Sequence, residues 1–234
     1  MLRNVHDVYG LRLLAKDGNI GHVDDIVFDD QTWRLRYLVA RTGAWMIGRR
    51  VLIPRPALRR VEWWGVEGVR VALTRRQIEE SPEISSIEPL SRGVERAYYQ
   101  HFGWPFYWRD DAVEEPERLL SENNHLQSCR EVDSYRVHAT DGDLGHVSDL
   151  IFDEATWCIR YLVVDTRSLA PGRTVLITPE HVRRASGFDH KLHVDVARAT
   201  ISNAPAYTHG MLIDAEYDAE LRAYFASASS RALR

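Results

Sequence analysis

The chain has 234 residues, with 44% hydrophobic and 27% charged residues and a formal net charge of −4. That length fits two modest domains, and the balance is that of a globular protein rather than a disordered or collagenous one. The negative charge excludes a broad electrostatic pull toward nucleic acid, and no apolar run approaches the roughly 18–20 residues that span a bilayer.

In chain order, the opening MLRNVHDVYGLRLLAKDG has no apolar signal core, which points to a cytoplasmic protein. Leu11–Ala15 reads as a strand ending in the turn Lys16–Asn19. His22–Phe28 and Trp33–Ala40 follow as alternating or apolar runs joined by Asp29–Thr32. A loop over 42–49 leads to strands at Arg50–Ile53, Leu58–Trp63 and Val69–Leu73. Val94–Phe102 should be helical, ended by Gly103 and Pro105. Residues 109–130 are acidic, contain Pro116 and read as a linker, with a turn or two of helix over Glu117–Leu126.

The same pattern then returns. Residues 17–42, DGNIGHVDDIVFDDQTWRLRYLVART, recur at 141–166 as DGDLGHVSDLIFDEATWCIRYLVVDT, an offset of 124. About half of positions 17–60 are identical to their counterparts. After one lost residue the offset becomes 123, which matches Ile78 to Ile201, Pro82 to Pro205 and Phe102 to Phe225. The second copy gives strands at Tyr135–Ala139, His146–Phe152, Trp157–Val164, Thr174–Thr178, His181–Ala185 and Leu192–Val196. An amphipathic helix follows over Ile213–Phe225. A repeat of this length means two copies of one folding unit. Six short strands per copy predict a mainly β fold: two tandem small β-barrels with short helical tails. The expected boundaries are 1–90 and 131–205 for the barrels, 91–130 for the aromatic tail and linker, and 206–234 for the C-terminal helix and tail.

Pairing Phe28 with Trp33 across a four-residue loop puts Ile26, Phe28, Trp33, Leu35, Tyr37 and Val39 on one inward face. Their counterparts are Leu150, Phe152, Trp157, Ile159, Tyr161 and Val163. The same register sets Asp25 opposite Arg36 and Asp149 opposite Arg160, charge pairs worth roughly 0.2–1 kcal/mol that would pin the register. It also turns His22 and His146 inward at the barrel mouth, as structural histidines or as a proton-relay or pH-sensing pair.

DGxxGHVxDxxFD, the strand TWxxRYLV and the strand GRxVLI resemble the PRC-barrel family, over residues 5–80 and 131–202. That family includes the cytoplasmic domain of the photosynthetic reaction centre H subunit and the C-terminal domain of the ribosome maturation factor RimM. The resemblance implies a six-stranded barrel in each copy, used mainly to bind other proteins. It leaves two roles foremost, with an enzyme as a third and less favoured reading. One is a non-enzymatic interaction or scaffold module, self-association included; the other is a peripheral accessory of a membrane photosynthetic or electron-transfer complex.

No catalytic pattern emerges. There is no HxH, HExxH or CxxC spacing for a metal, no phosphate-binding glycine loop and no nucleophile elbow, so no cofactor is expected. Cys129 and Cys158 read as reduced thiols. The doublets Arg59–Arg60, Arg75–Arg76 and Arg183–Arg184 read as surface charge rather than a nucleic-acid track. What distinguishes the copies is SRGVERAYYQHFGWPFYW. Trp104, Phe106, Tyr107 and Trp108 have no counterpart after Phe225. These rings either pack on the chain's own barrels or dock a protein partner, since Trp and Tyr dominate interface hot spots.

Overall fold

A computed structural model describes residues 1–42, 49–58, 68–82, 92–108, 125–166 and 173–232. Its strands are β1 (Leu2–Asn4), β2 (Arg12–Ala15), β3 (Gly18–Asp29), β4 (Arg34–Thr42), β5 (Arg50–Pro54) and β6 (Val69–Arg70). Two helices follow, α1 (Arg75–Glu79) and α2 (Arg92–Phe102). The second half contains β7 (Leu126–Ser128), α3 (Cys129–Val132), β8 (Arg136–Ala139), β9 (Gly142–Asp153) and β10 (Cys158–Asp165). It continues through β11 (Thr174–Ile177), β12 (Val182–Ser186), β13 (Lys191–Val194), α4 (Arg198–Ser202) and α5 (Ala215–Ala232). The fold is mainly β, as the sequence predicts. The strand expected from Leu58 to Trp63 and the helix expected from Glu117 fall largely outside the described residues.

The chain forms two compact units. One contains Val8–Gln31 and Leu35–Ser128; the other contains Met1–Asp7, Thr32–Arg34 and Cys129–Arg234. We call them the first-copy and second-copy units. In the second-copy unit the order is β12-β13-β8-β9-β10-β11, antiparallel except for the parallel pair β13–β8. In the first-copy unit β3 lies between β2 and β4, β5 pairs with β4, and β6 runs parallel to β2. In both, a late strand returns parallel to the first strand of the hairpin, which curls the sheet around a packed interior. Tyr37 and Phe28 fill that interior in one unit, Tyr161 and Phe152 in the other, each at most 2% exposed. Each such ring contributes about 1.5–3 kcal/mol through its burial.

The turn aspartates do a second job. The carboxylate of Asp17 accepts from Arg75 N at 2.8 Å, and that of Asp141 accepts from Arg198 N at 2.8 Å. Each fixes the start of the short helix, α1 or α4, that follows the last strand.

The unit compositions contain an exchange. β9 is 12 residues long. β10 covers one edge, while β8 covers only Gly142–His146 of the other. The remaining edge, Ile151–Asp153, is covered by β1, from the far end of the chain. β7, the counterpart of β1, covers Val27–Asp29 of β3 in the same way. Each copy's leading strand thus completes the unit built on the other copy. The segment that reads as a linker in the sequence ends in this strand. An uncovered strand edge exposes unpaired N–H and C=O groups, and the exchange removes that liability.

Two sequence expectations change. The second hairpin closes at Asp153–Cys158, with Trp157 as the last loop residue at φ 61°. Trp157 N donates to Asp153 O at 2.7 Å, and Trp33 holds the same conformation at φ 54°. The closing pair therefore moves one residue forward in sequence on each strand, and the loop keeps its length. A shift of two in the register keeps every side chain on its face, because the side-chain period is two. The inward set is buried as expected, apart from a part-exposed Trp33. The cross-strand partners are not kept. A bulge at Arg160 then sets Val163 opposite Asp149, and Arg160 is exposed. In the first copy Arg36 donates to Asp29 at 3.0 Å. The expected Asp149–Arg160 register pair is thus replaced, while in the first copy Arg36 binds Asp29 and Asp25 binds Ser128.

His22 and His146 are the second change: both are exposed. Ile20 and Val23 are both buried, as are Leu144 and Val147, so the alternation slips by one residue between each pair. The slip sits at Gly21 (φ 126°) and Gly145 (φ 54°). A Cβ at Gly145 would stand 1.9 Å from Asp165 O, and one at Gly21 would stand 2.1 Å from Arg41 O. Only glycine allows this approach, and the bulge it permits turns the imidazoles outward.

Candidate functional site

In α2, Glu95, Tyr98 and Tyr99 form one buried face at helical spacing. The helix stops at Gly103 (φ 66°), where Gly103 N donates to Gln100 O and Trp104 N donates to Tyr99 O. These two bonds form a Schellman cap, and Pro105 prevents continuation. The chain therefore doubles back, and Trp104, Phe106, Tyr107 and Trp108 gather around Tyr99 with centroid distances of 5.3–6.3 Å.

Under this cap lies a polar cluster. Glu95 is 1% exposed. Its Oε1 accepts from the hydroxyls of Tyr37 (2.6 Å) and Tyr107 (2.7 Å), and its Oε2 accepts from Arg92 Nη1 (2.9 Å). Arg92 also donates to the Tyr107 oxygen at 3.0 Å. The Arg36 guanidinium lies 3.9 Å from the centre of the Tyr107 ring, and that of Arg92 lies 4.7 Å from the Trp108 ring. Burial pushes the Glu95 carboxyl above its ordinary value, opposed by the Tyr37 hydroxyl and Arg92. Burial and the neighbouring Glu95 charge raise Tyr37 and Tyr107 as well, and push Tyr99 up to about 12. These phenols stay protonated and act as fixed donors. The cluster is built to hold shape: its hydrogen-bond capacity is turned inward on itself.

The upper surface differs. Trp104, Phe106, Tyr107 and Trp108 are each part-exposed. Trp104 stacks on Phe102 at 4.4 Å, and Phe106 lies 4.8 Å from Trp108. One side of the group is anchored, and the other faces out.

The second copy repeats the base without the cap. The Tyr161 hydroxyl donates to Asp218, the counterpart of Glu95, and Arg222 donates to the same carboxylate at 3.0 Å. Here the acid side chain is 28% exposed, against 2% for Glu95. The tyrosine–acid pair belongs to the repeated unit, and the aromatic cap belongs to the first copy alone.

Sequence reasoning missed Glu95 and Asp218, although both are acids kept at the 123 offset on a helix face that also carries buried rings. It also missed what Asp25 and Asp149 bind. Asp25 accepts from Ser128 Oγ at 2.6 Å, and Asp149 accepts from Asn4 Nδ2 at 2.7 Å. Ser128 and Asn4 end the two exchanged strands. These aspartates, 3% and 4% exposed, lock the strands in place. Cys129 is buried, Cys158 is part-exposed, and both are free thiols. Among the described residues no group of three or more His, Cys, Asp or Glu could hold a metal ion, and no helix is long and apolar enough to cross a membrane.

The comparison with curated proteins finds no match. The PRC-barrel domain matches residues 2–66 and again residues 129–201. With both copies matched over more than half its length, the chain belongs to the PRC-barrel family, in tandem form.

Proposed function

We propose that the protein is a non-enzymatic interaction module, cytoplasmic, in which the aromatic cap of the first copy docks a protein partner. In this reading each unit is a closed six-stranded barrel acting as a frame. The observation that carries it is the cap itself: part-exposed rings of Trp104, Phe106 and Trp108 fixed on a buried base of Tyr99 and Glu95. Rigid aromatics lose little side-chain entropy on binding and supply most hot-spot energy. The family membership supports the same role, and the second copy, without the cap, serves as an internal control.

The test compares affinity capture by the intact protein and by a Trp104→Ala/Trp108→Ala variant, with melting and sedimentation measured for both. A specific partner should be lost from the variant while its melting midpoint stays within a few degrees. If self-association is the interaction, the variant should sediment as a smaller species. Unchanged capture and unchanged sedimentation would refute the reading. Recovery of membrane electron-transfer components with the intact protein would identify the module as a peripheral accessory of such a complex.

A further inference from the structure

The two exchanged strands differ in sequence, yet they enter their slots in one register. Leu2, Arg3 and Asn4 pair with Asp153, Phe152 and Ile151; Leu126, Gln127 and Ser128 pair with Asp29, Phe28 and Val27. Just before each strand a carbonyl, of Met1 or His125, accepts from Glu154 N at 2.9 Å or Asp30 N at 2.7 Å. At the second position Arg3 donates to Glu154, and Gln127 donates to Asp30. At the third, Asn4 and Ser128 donate to the buried Asp149 and Asp25. The residue after the strand, Val5 or Cys129, is fully buried. Each slot thus asks for the same things: a strand edge, a polar side chain for an acid at the rim, a donor for a buried aspartate, and a small apolar group.

Nothing in that recognition depends on which chain supplies the strand. β1 leaves the second-copy unit at Asp7, and Val8 already belongs to the first-copy unit. The bonds that hold β1 lie within the second-copy unit. They are its pairing with β9, the Asn4–Asp149 bond, the Tyr207 hydroxyl donating to Asn4 Oδ1 at 3.1 Å, and His6 against Asp133 at 2.9 Å. The β1 of another molecule would make the same set.

We propose that β1 also exchanges between molecules: the partner is a second copy of this chain, and each molecule's β1 fills the β9 slot of the other. Such a pair replaces every bond of β1 with an identical one, so it costs little beyond the entropy of association. Within one molecule β1 competes as if present at about millimolar concentration. Wild-type pairs therefore form at comparable protein concentrations, or when chains refold together, and they last until β1 is released. The contact is independent of the aromatic cap, so either reading can fail alone.

The test mixes two full-length variants. Asn4→Asp sets a second carboxylate against Asp149 of its own chain and weakens docking there. Asp149→Asn removes the buried carboxylate and keeps Asn4. Crossed strands restore an amide–carboxylate pair in both slots, so the mixture should sediment as a species of doubled mass at a concentration at least about tenfold below that needed by wild type. In isotope-labelled Asn4→Asp chain, amide exchange over Ile151–Asp153 should slow at least about tenfold when unlabelled Asp149→Asn chain is added. Adding Trp104→Ala/Trp108→Ala to both chains should change neither result, which separates this contact from one at the cap. Melting curves establish that the variants fold, and a chain lacking Leu2–Asn4 replaces Asn4→Asp if that variant does not. A peptide of residues 2–8 is added to the labelled chain in parallel. Protection restored by the peptide but not by the second chain would overturn the proposal, as would a doubled species in which Ile151–Asp153 still exchanges fast, or no protection from either.

Discussion

The hydroxyl of Tyr37, on β4, donates to the carboxylate of Glu95, on α2, across 2.6 Å. This bond joins the sheet interior to the helical tail, and the same pairing recurs between Tyr161 and Asp218. The helical tail is therefore part of each unit's core and not an appendage to it. The two pairs differ in burial, and that difference decides what each is worth.

Tyr37→Phe removes a donor from a carboxylate that is almost fully buried. The loss should be about 1–3 kcal/mol, because the desolvated oxygen has no water to turn to. Tyr161→Phe leaves an acid that water can reach and should cost less, under about 1 kcal/mol. Chemical denaturation of the two variants measures the contrast.

Glu95 gives a pH dependence of definite sign. Burial raises its carboxyl, so the folded protein binds this proton more tightly than the unfolded chain. This contribution to stability is full below the ordinary glutamate value of about 4.3 and falls as pH rises through the raised value. Glu95→Gln cannot titrate. The stability difference between wild type and Glu95→Gln should shift in favour of the variant as pH rises across this window, measured by melting at stepped pH.

Asp149 locks β1 through Asn4 and also accepts from His6 N at 3.2 Å. Asp149→Ala leaves these donors unpaired and should cost about 2–4 kcal/mol. Deleting Met1–Asn4 should speed amide exchange over Ile151–Asp153, in the second copy, and leave Val27–Asp29 unchanged. A chain in which β1 paired with its own copy would show the reverse.

Gly145→Ala forces a Cβ against the Asp165 carbonyl at a positive φ. The expected loss is about 3 kcal/mol or more, and Gly21→Ala should behave alike. Calorimetry of each variant tests it.

The repeat, the mainly β fold, the inward faces and both helical tails were legible from residue order, because periodicity and turn chemistry are local. Partners were not. A register shift of two leaves side chains on their faces but changes their partners, and the bulge at Arg160 moves Asp149 one further, to Val163, so the inward hairpin faces were predicted while the Asp149–Arg160 pair was not. The outward turn of His22 and His146 depended on bulges at Gly21 and Gly145, which alternation alone does not reveal. The aromatic run Trp104–Trp108 stood out in the sequence as the part the copies do not share. Its anchoring on Glu95 and Tyr37 did not, because 58 positions separate those two residues. Strand exchange lay furthest from view. β1 and β7 are three residues each, too short to carry a pattern, and only the open edges of β9 and β3 gave them a place.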